Sequence, residues 1–310
     1  MIQNTSNVIM IRPKHFNYNI ETADNNYFQK RINNLSSFDI KQKSIEEFNM
    51  LVSKLEDNKI TVDVFDDRED IITTDSVFPN NWFSLHKNGI LYLYPMFSKN
   101  RRRERRNDIV EYLNNNYHLN QIIDLTKYEE EKKFLEGTGS MVLDRIHKIC
   151  YASISERTDL NILNSFCEKL KYKPITFRSY HRVDKKRKEI YHTNVIMNIG
   201  ENYSIICLEC IDNKNERDLI IRKLENTGKE IIEISEFQLN NFAGNMLEIE
   251  NENNKKFIVM SKRAYKSLDK DQITAIENYN EIIYSDLNVI ETLGGGSARC
   301  MIAENFLEKK

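Results

Sequence analysis

The chain has 310 residues, with 45 Lys and Arg against 47 Asp and Glu, a formal net charge of −2, 9 Gly, 4 Pro and 5 Cys. Its 40% apolar and 30% charged residues exclude a disordered chain, and the near-zero net charge excludes a polycation that coats nucleic acid. No apolar run approaches the roughly 18 residues of a membrane helix, so a soluble α/β protein of one large or two ordinary domains is expected.

The N-terminal MIQNTSNVIMIRPK carries no basic region ahead of a long apolar stretch, so no signal peptide is expected. Five sparse cysteines fit a reducing compartment better than a disulfide scaffold, so a cytoplasmic location is expected.

Along the chain the predicted elements recur. Residues 8–11 read as a strand, SIEEFNMLVSKLED as an amphipathic helix, ITVDVF as a second strand, and SVFPNNWFSL follows. Residues 90–94, NDIVEYLNNNY, QIIDLT and FLEGTGSMVL repeat that order. So do 148–152, DLNILNSFCEKLKY, KPITFRS and YHTNVIMNIG. Residues 203–208, ERDLIIRKLEN, EIIEIS and NFAGNMLEIE form a fourth set, and 257–260, KDQITAIENY, EIIYSD and TLGGGSARCMIAE a fifth.

Marker residues in the last segments, Asn81, Glu136, His192, Asn245 and Cys300, are separated by 55, 56, 53 and 55 residues. One unit is split between the two ends of the chain, which predicts a ring closed by pairing the terminal segments. In such a ring the markers share the centre. Six of the nine glycines, at 137, 139, 244, 294, 295 and 296, fall in these segments, where backbones must approach closely. Without chemistry at the markers, the same repeat would describe a structural ring around a wet channel.

The markers carry chemistry. Cys300 follows a glycine run in LGGGSARCM, where a thiolate nucleophile would sit among backbone N–H groups near Arg299. A lone Cys in isolation is ordinarily a buried structural residue. His192, in YHTNVIMNIG, suits a general acid/base at the head of a strand. Glu136, in FLEGTGS, suits a carboxylate that positions an N–H and shuttles protons. Cys207 and Cys210 form a CxxC without a second ligand pair; strand alternation would set them on opposite faces. Cys150 and Cys167 read as core. RRRERR at 101–106 reads as a solvated charged face.

Together, DSVFPNNW (75–82), LEGTGS (135–140), SERT (155–158), HTN (192–194), NFAGN (241–245) and GGGSARCM (294–301) resemble the guanidino-group-modifying, or pentein/amidinotransferase, superfamily over nearly the whole chain. The resemblance implies a five-bladed α/β propeller, here one catalytic domain over 1–310. It implies Cys300 as nucleophile, His192 as general acid/base, Glu136 as the carboxylate beside it, Arg157 on a substrate α-carboxylate and Asp75 on its α-amino group. No metal or organic cofactor is implied.

The departures shape the expected substrate. Asn80 and Asn81 stand where guanidine hydrolases carry acidic residues, Asn194 replaces Asp after His192-Thr193, and Thr138-Gly139 replaces Gly-Asp after Glu136-Gly137. A buried guanidinium needs anionic partners; replacing two with amides costs on the order of 3–6 kcal/mol. An amide can both donate to a ureido oxygen and accept from a ureido N–H. The pattern, with the N-terminal IRPKHFNYNIETADNNYFQ, resembles the citrulline-hydrolase branch. The expected reaction is cleavage of free citrulline to ornithine, CO2 and ammonia through an S-carbamoyl enzyme. The alternatives are an arginine or methylarginine deiminase or amidinotransferase, a hydrolase of a succinylated arginine, and a non-catalytic propeller binding module. The expected partner is a small amino acid, with neither nucleic acid nor membrane; the oligomeric state stays open, a homodimer being one option.

Overall fold

A computed structural model describes residues 2–310. It is a mixed α/β structure whose sheets are small: four have three strands and two have two. The repeat is visible in the pairing. Phe83–His86 runs antiparallel to Ile90–Leu93, which runs parallel to Gln121–Asp124. The same order recurs in Val142–Asp144, Ile149–Ser153 and Lys173–Phe177. It recurs again in Leu247–Glu250, Lys256–Ser261 and Glu281–Ser285. Tyr203–Ile206 runs parallel to Glu230–Glu233, and its antiparallel neighbour is reduced to one bridge between Met197 and Ile206. The split unit pairs as anticipated. Ala303–Glu304 lies antiparallel to Asn7–Arg12, which is parallel to Thr61–Asp66.

No strand ladder joins one of these sheets to another among the described residues. Contact between units comes from helices that pack on a neighbouring unit and from short turns that meet one another. The turn Gly137–Ser140 packs on Pro79–Asn81 and Thr193–Val195, and Ala298–Met301 packs on Pro79–Asn81. In the marker segments a tight turn comes first and the strand only after it, and in YHTNVIMNIG the strand shrinks to the single bridge at Met197. His192 accordingly leads into a turn, not a strand.

Parallel neighbours need a crossover, and the amphipathic segments supply it. Leu160–Leu170 buries Ile162, Leu163, Phe166, Cys167 and Leu170 on one face, and Asp159 caps its first turn through Asn161 and Ile162 N–H. The first long helix spans Ser37–Asp57, longer than predicted. Ser36 and Asp39 form a reciprocal capping box that starts it over a polar stretch without apolar periodicity. A hairpin, Tyr180–Val183 with Lys186–Glu189, was not anticipated. Asp184 and Lys185 turn it at φ of 48° and 65° without glycine. No described helix is long and apolar enough to cross a membrane.

The first long helix also steadies the distant turn that carries Cys300. Glu47 on its buried face accepts the Val289 and Ile290 N–H groups at 2.7 and 2.9 Å. These are first-turn donors of Asn288–Gly294, which leads into the glycine run. Burial pushes the Glu47 carboxyl up to about 7, against those two hydrogen bonds. Glu47→Ala is expected to destabilise by about 2–4 kcal/mol, because two buried donors lose their acceptor. Glu47→Gln keeps an acceptor and should recover at least half of that in urea denaturation midpoints.

Candidate active site

The inner turns bring Cys300, His192, Glu136, Asn194 and Asn245 to one place, although they span 164 residues of sequence. All five are buried. Gly139 makes the crowding possible. A Cβ there would stand 2.7 Å from His192 Cε1 and 2.6 Å from Asn81 Nδ2. Only a residue without a side chain lets the imidazole lie against this turn.

Glu136 is the electrostatic pivot. Its Oε2 lies 2.8 Å from His192 Nε2 and 3.4 Å from Arg157 Nη1, and its Oε1 accepts the Phe97 N–H at 2.9 Å. Burial alone would raise its pKa, but the Arg157 guanidinium and the His192 hydrogen bond outweigh burial and hold the carboxyl well below the usual range. A carboxylate is acceptor-only, so Nε2 carries the imidazole proton and Nδ1 keeps its lone pair. Burial, with Arg157 and Arg101 nearby, takes His192 down to about 4 despite Glu136. The resting pair is thus an ionised Glu136 and a neutral His192. In NMR titration the His192 ring should stay neutral down to about pH 5. Glu136→Gln removes the group that favours the imidazolium, so the pKa should fall further; a rise would contradict the arrangement.

The thiol faces amides. Asn245 Nδ2 and Asn194 Nδ2 donate to Cys300 Sγ at 3.2 and 3.4 Å. Asn245 is fixed by its other contacts, donating to Asn194 O at 3.0 Å and accepting the Arg299 N–H at 3.1 Å. Asn194 Oδ1 is buried without a partner, as is Asp75 Oδ1. Unpaired buried acceptors are costly; Asp75 lines the cavity beside the sulfur, whereas Asn194 borders a neighbouring pocket with Thr138 and Arg299.

The cavity beside the sulfur is lined by Asp75, Asn81, Arg101, Arg157, His192 and Cys300, among others. Its free volume is about 10 Å³, room for roughly one water. Residues 19–29 cover it. Asn26 Nδ2 donates to Gly294 O at 3.1 Å, Gln29 Nε2 to Leu293 O at 2.9 Å, and Arg157 Nη2 to Thr22 O at 3.3 Å. An amino acid can enter only after this segment moves.

Of the sequence candidates, Cys300, His192, Glu136 and Asn194 converge as expected. Arg157 and Asp75 also reach the cavity, but both are already engaged. Arg157 braces Glu136 and Asn25. Asp75 Oδ2 accepts from Asn19 Nδ2 at 2.7 Å, and burial raises its pKa against Arg101 and Asn19. Asn81 lines the cavity with Oδ1 on Arg101 Nη1 at 2.7 Å and Nδ2 on Asn80 at 3.0 Å. Asn80 turns away: its Nδ2 lies on Thr138 Oγ1 at 3.3 Å, so its role is to hold the turns together.

Two readings are corrected. RRRERR is no solvated face at its first position: Arg101 is 3% and Glu104 2% exposed, and they pair at 2.8 Å. Arg102 and Arg105 engage Glu129. The overlooked signal was Glu104, placed i+3 from Arg101 to hold its guanidinium inside. Burial opposes the Arg101 charge, but Glu104 and Asp75 keep it charged. Cys207 and Cys210 do not face apart; their sulfurs lie 3.0 Å from each other because a short turn, Leu208–Cys210, breaks the strand alternation. Among the described residues no group of three or more His, Cys, Asp or Glu is placed to hold a metal.

Comparison with solved structures places the fold. An arginine dihydrolase, ArgZ, from the ornithine–ammonia cycle in cyanobacteria superposes with a TM-score of 0.73 at 16% identity, covering 96% of this chain and 40% of that one. AgrE in complex with ornithine and NAD+ gives 0.72 at 18%, covering 96% and 39%. A dimethylarginine dimethylaminohydrolase adduct with S-methyl-L-thiocitrulline gives 0.63 at 14%, covering 97% and 100%. This chain therefore spans about two-fifths of the full-length ArgZ and AgrE chains. No curated protein matches it. The family model described as "N,N dimethylarginine dimethylhydrolase, eukaryotic" matches residues 12–307. The chain belongs to that family, within the guanidino-group-modifying superfamily that its motifs resemble.

Proposed function

We propose that residues 1–310 act as one catalytic unit, a five-bladed propeller with the markers at its hub, that hydrolyses the ureido group of free citrulline. The recurring sheet order and the packed inner turns support the propeller. The observation that carries the substrate is charge: the protein's own guanidiniums, Arg101 and Arg157, already stand against Asp75 Oδ2 and Glu136. A substrate guanidinium would meet two like charges and no free carboxylate pair beside the sulfur. A ureido head is neutral, and the amides of Asn194 and Asn245 supply donors next to Sγ.

In this reading His192 Nδ1 first takes the Cys300 thiol proton and becomes an imidazolium beside Glu136, and the resulting thiolate attacks the ureido carbon, forming a C–S bond and a tetrahedral oxyanion that an amide N–H stabilises. His192 gives a proton to the departing nitrogen as the C–N bond breaks, releasing ornithine and leaving an S-carbamoyl enzyme. It then takes a proton from water, which displaces the sulfur and yields carbamate, hence CO2 and ammonia. Glu136 holds the imidazole tautomer throughout. Asp75 Oδ1 is the acceptor for the α-ammonium, and Arg157 is the cation for the α-carboxylate once the covering segment opens. The chemistry calls on side chains alone.

The family match favours a second reading, hydrolysis of arginine or a methylated arginine. Purified protein supplied separately with citrulline, arginine and methylarginines decides between them: ornithine and ammonia from citrulline support the proposal, whereas citrulline formed from arginine overturns it. Gly139→Ala should lower turnover of the active substrate by about 100-fold or more, since a misplacement of the imidazole of about 1 Å has that effect. Circular dichroism should stay unchanged.

A further inference from the structure

We propose that a pocket formed by Arg145, Lys148, Tyr172 and Phe306, separate from the catalytic cavity, is a second ligand site for a small aromatic anion such as an aryl phosphate or aryl carboxylate. The pocket has a volume of about 270 Å³, with His86 and Leu170 completing its wall. None of these residues lines the cavity beside Cys300.

Charge calls for an anion. Arg145 is 7% exposed, and the only carboxylate it meets among the described residues is Glu304, at 3.5 Å. That carboxylate is shared, lying closer to Arg299, at 2.7 Å. Lys148 pairs with no carboxylate among the described residues; its Nζ stands 4.5 Å over the Tyr172 ring. Burial and the neighbouring Arg145 together lower its pKa from the ordinary lysine value. Lys87 also lines the pocket, so three cations face one half-share of negative charge, and an anion among them would relieve their repulsion.

Shape calls for a ring. The Arg145 guanidinium lies 3.9 Å from the centre of Phe306, and Tyr172, under Lys148, is a second aromatic ring in the pocket wall. Aromatic faces with cations above them accept planar groups.

The pocket is wired to the nucleophile. Arg145 meets Glu304, Glu304 meets Arg299, the Arg299 N–H donates to Asn245 Oδ1, and Asn245 Nδ2 donates to Cys300 Sγ. A ligand that draws Arg145 off Glu304 changes the share of that carboxylate held by Arg299, one covalent neighbour from the thiol.

Calorimetric titration of the full chain tests the site. Phenyl phosphate should bind saturably at one site, and inorganic phosphate and phenol each about tenfold or more weaker. Lys148→Gln and Phe306→Leu should each weaken phenyl phosphate by about tenfold or more with melting temperature retained. No saturable binding to the wild type, or undiminished binding to both variants, overturns the site; phosphate binding as tightly as phenyl phosphate overturns its aromatic part. Alkylation of Cys300 by iodoacetamide, followed by mass spectrometry, reads the wiring without any assumed substrate. Saturating phenyl phosphate should change that rate by about threefold or more in the wild type and not in Lys148→Gln. An unchanged rate in the wild type overturns the wiring.

Discussion

Cys300→Ala is expected to reduce citrulline turnover by about 10⁴-fold or more, as removal of a covalent nucleophile does elsewhere. The fold should survive. The side chain is small, and its neighbours Asn194 and Asn245 lose only sulfur contacts at 3.4 and 3.2 Å, which are weak hydrogen bonds. Asn245 keeps its bonds to Asn194 O and Arg299 N, so the turn stays anchored. The measurement is ammonia release, with denaturation run in parallel. Trapping should agree with it: a carbamoyl adduct on the peptide containing Cys300 in the wild type, absent in the variant. Turnover that persists in Cys300→Ala would remove the nucleophile from its assigned place.

Asn194→Asp should produce the second largest effect and the one most specific to the substrate. The change is nearly isosteric, so packing hardly alters. It replaces a donor to Sγ by a carboxylate oxygen, setting a negative charge against the thiolate and removing an N–H that would meet the ureido oxygen. One lost hydrogen bond to a charged group and one like-charge contact add to about 3–5 kcal/mol, or roughly 10²–10⁴ in kcat/KM for citrulline. Arginine should lose far less, because the new carboxylate would pair with a guanidinium. The ratio of the two specificity constants therefore shifts toward arginine. An unchanged ratio would show that the amide at 194 plays no part in choosing the head group.

The repeat was legible because it rests on periodicity. Apolar spacing switches between strand and helix at each unit, and the marker distances hardly vary, so the order of elements along the chain and the split unit followed from residues alone. Cys300, His192 and Glu136 were legible because equivalent positions in such a repeat converge. What stayed hidden depends on contacts between units. Arg101 looks like surface in a run of arginines; only its neighbours Glu104, Asp75 and Asn81, two of them from another segment, make it internal. Asn80 and Asn81 are adjacent and chemically identical, yet one faces the cavity and the other Thr138, a difference set by the direction of a single short turn. Asn245 was noticed as a marker but not as a partner of the sulfur, because its role depends on where the amide points.

The sheet that joins Ala303–Glu304 to Asn7–Arg12 bears on how the protein matures. The Cys300 thiol is carried three residues before the strand Ala303–Glu304, whose partner Asn7–Arg12 lies far away in sequence; the registered pair Ile9 and Ala303 stand 294 residues apart. Bringing such remote ends together is entropically late, since no short-range contact rewards it. A nascent or clipped chain would thus hold its imidazole and carboxylate but leave the sulfur undocked. Docking of the sulfur would then be a late step of folding, and disruption of Asn7–Arg12 would leave Cys300 undocked without touching His192 or Glu136.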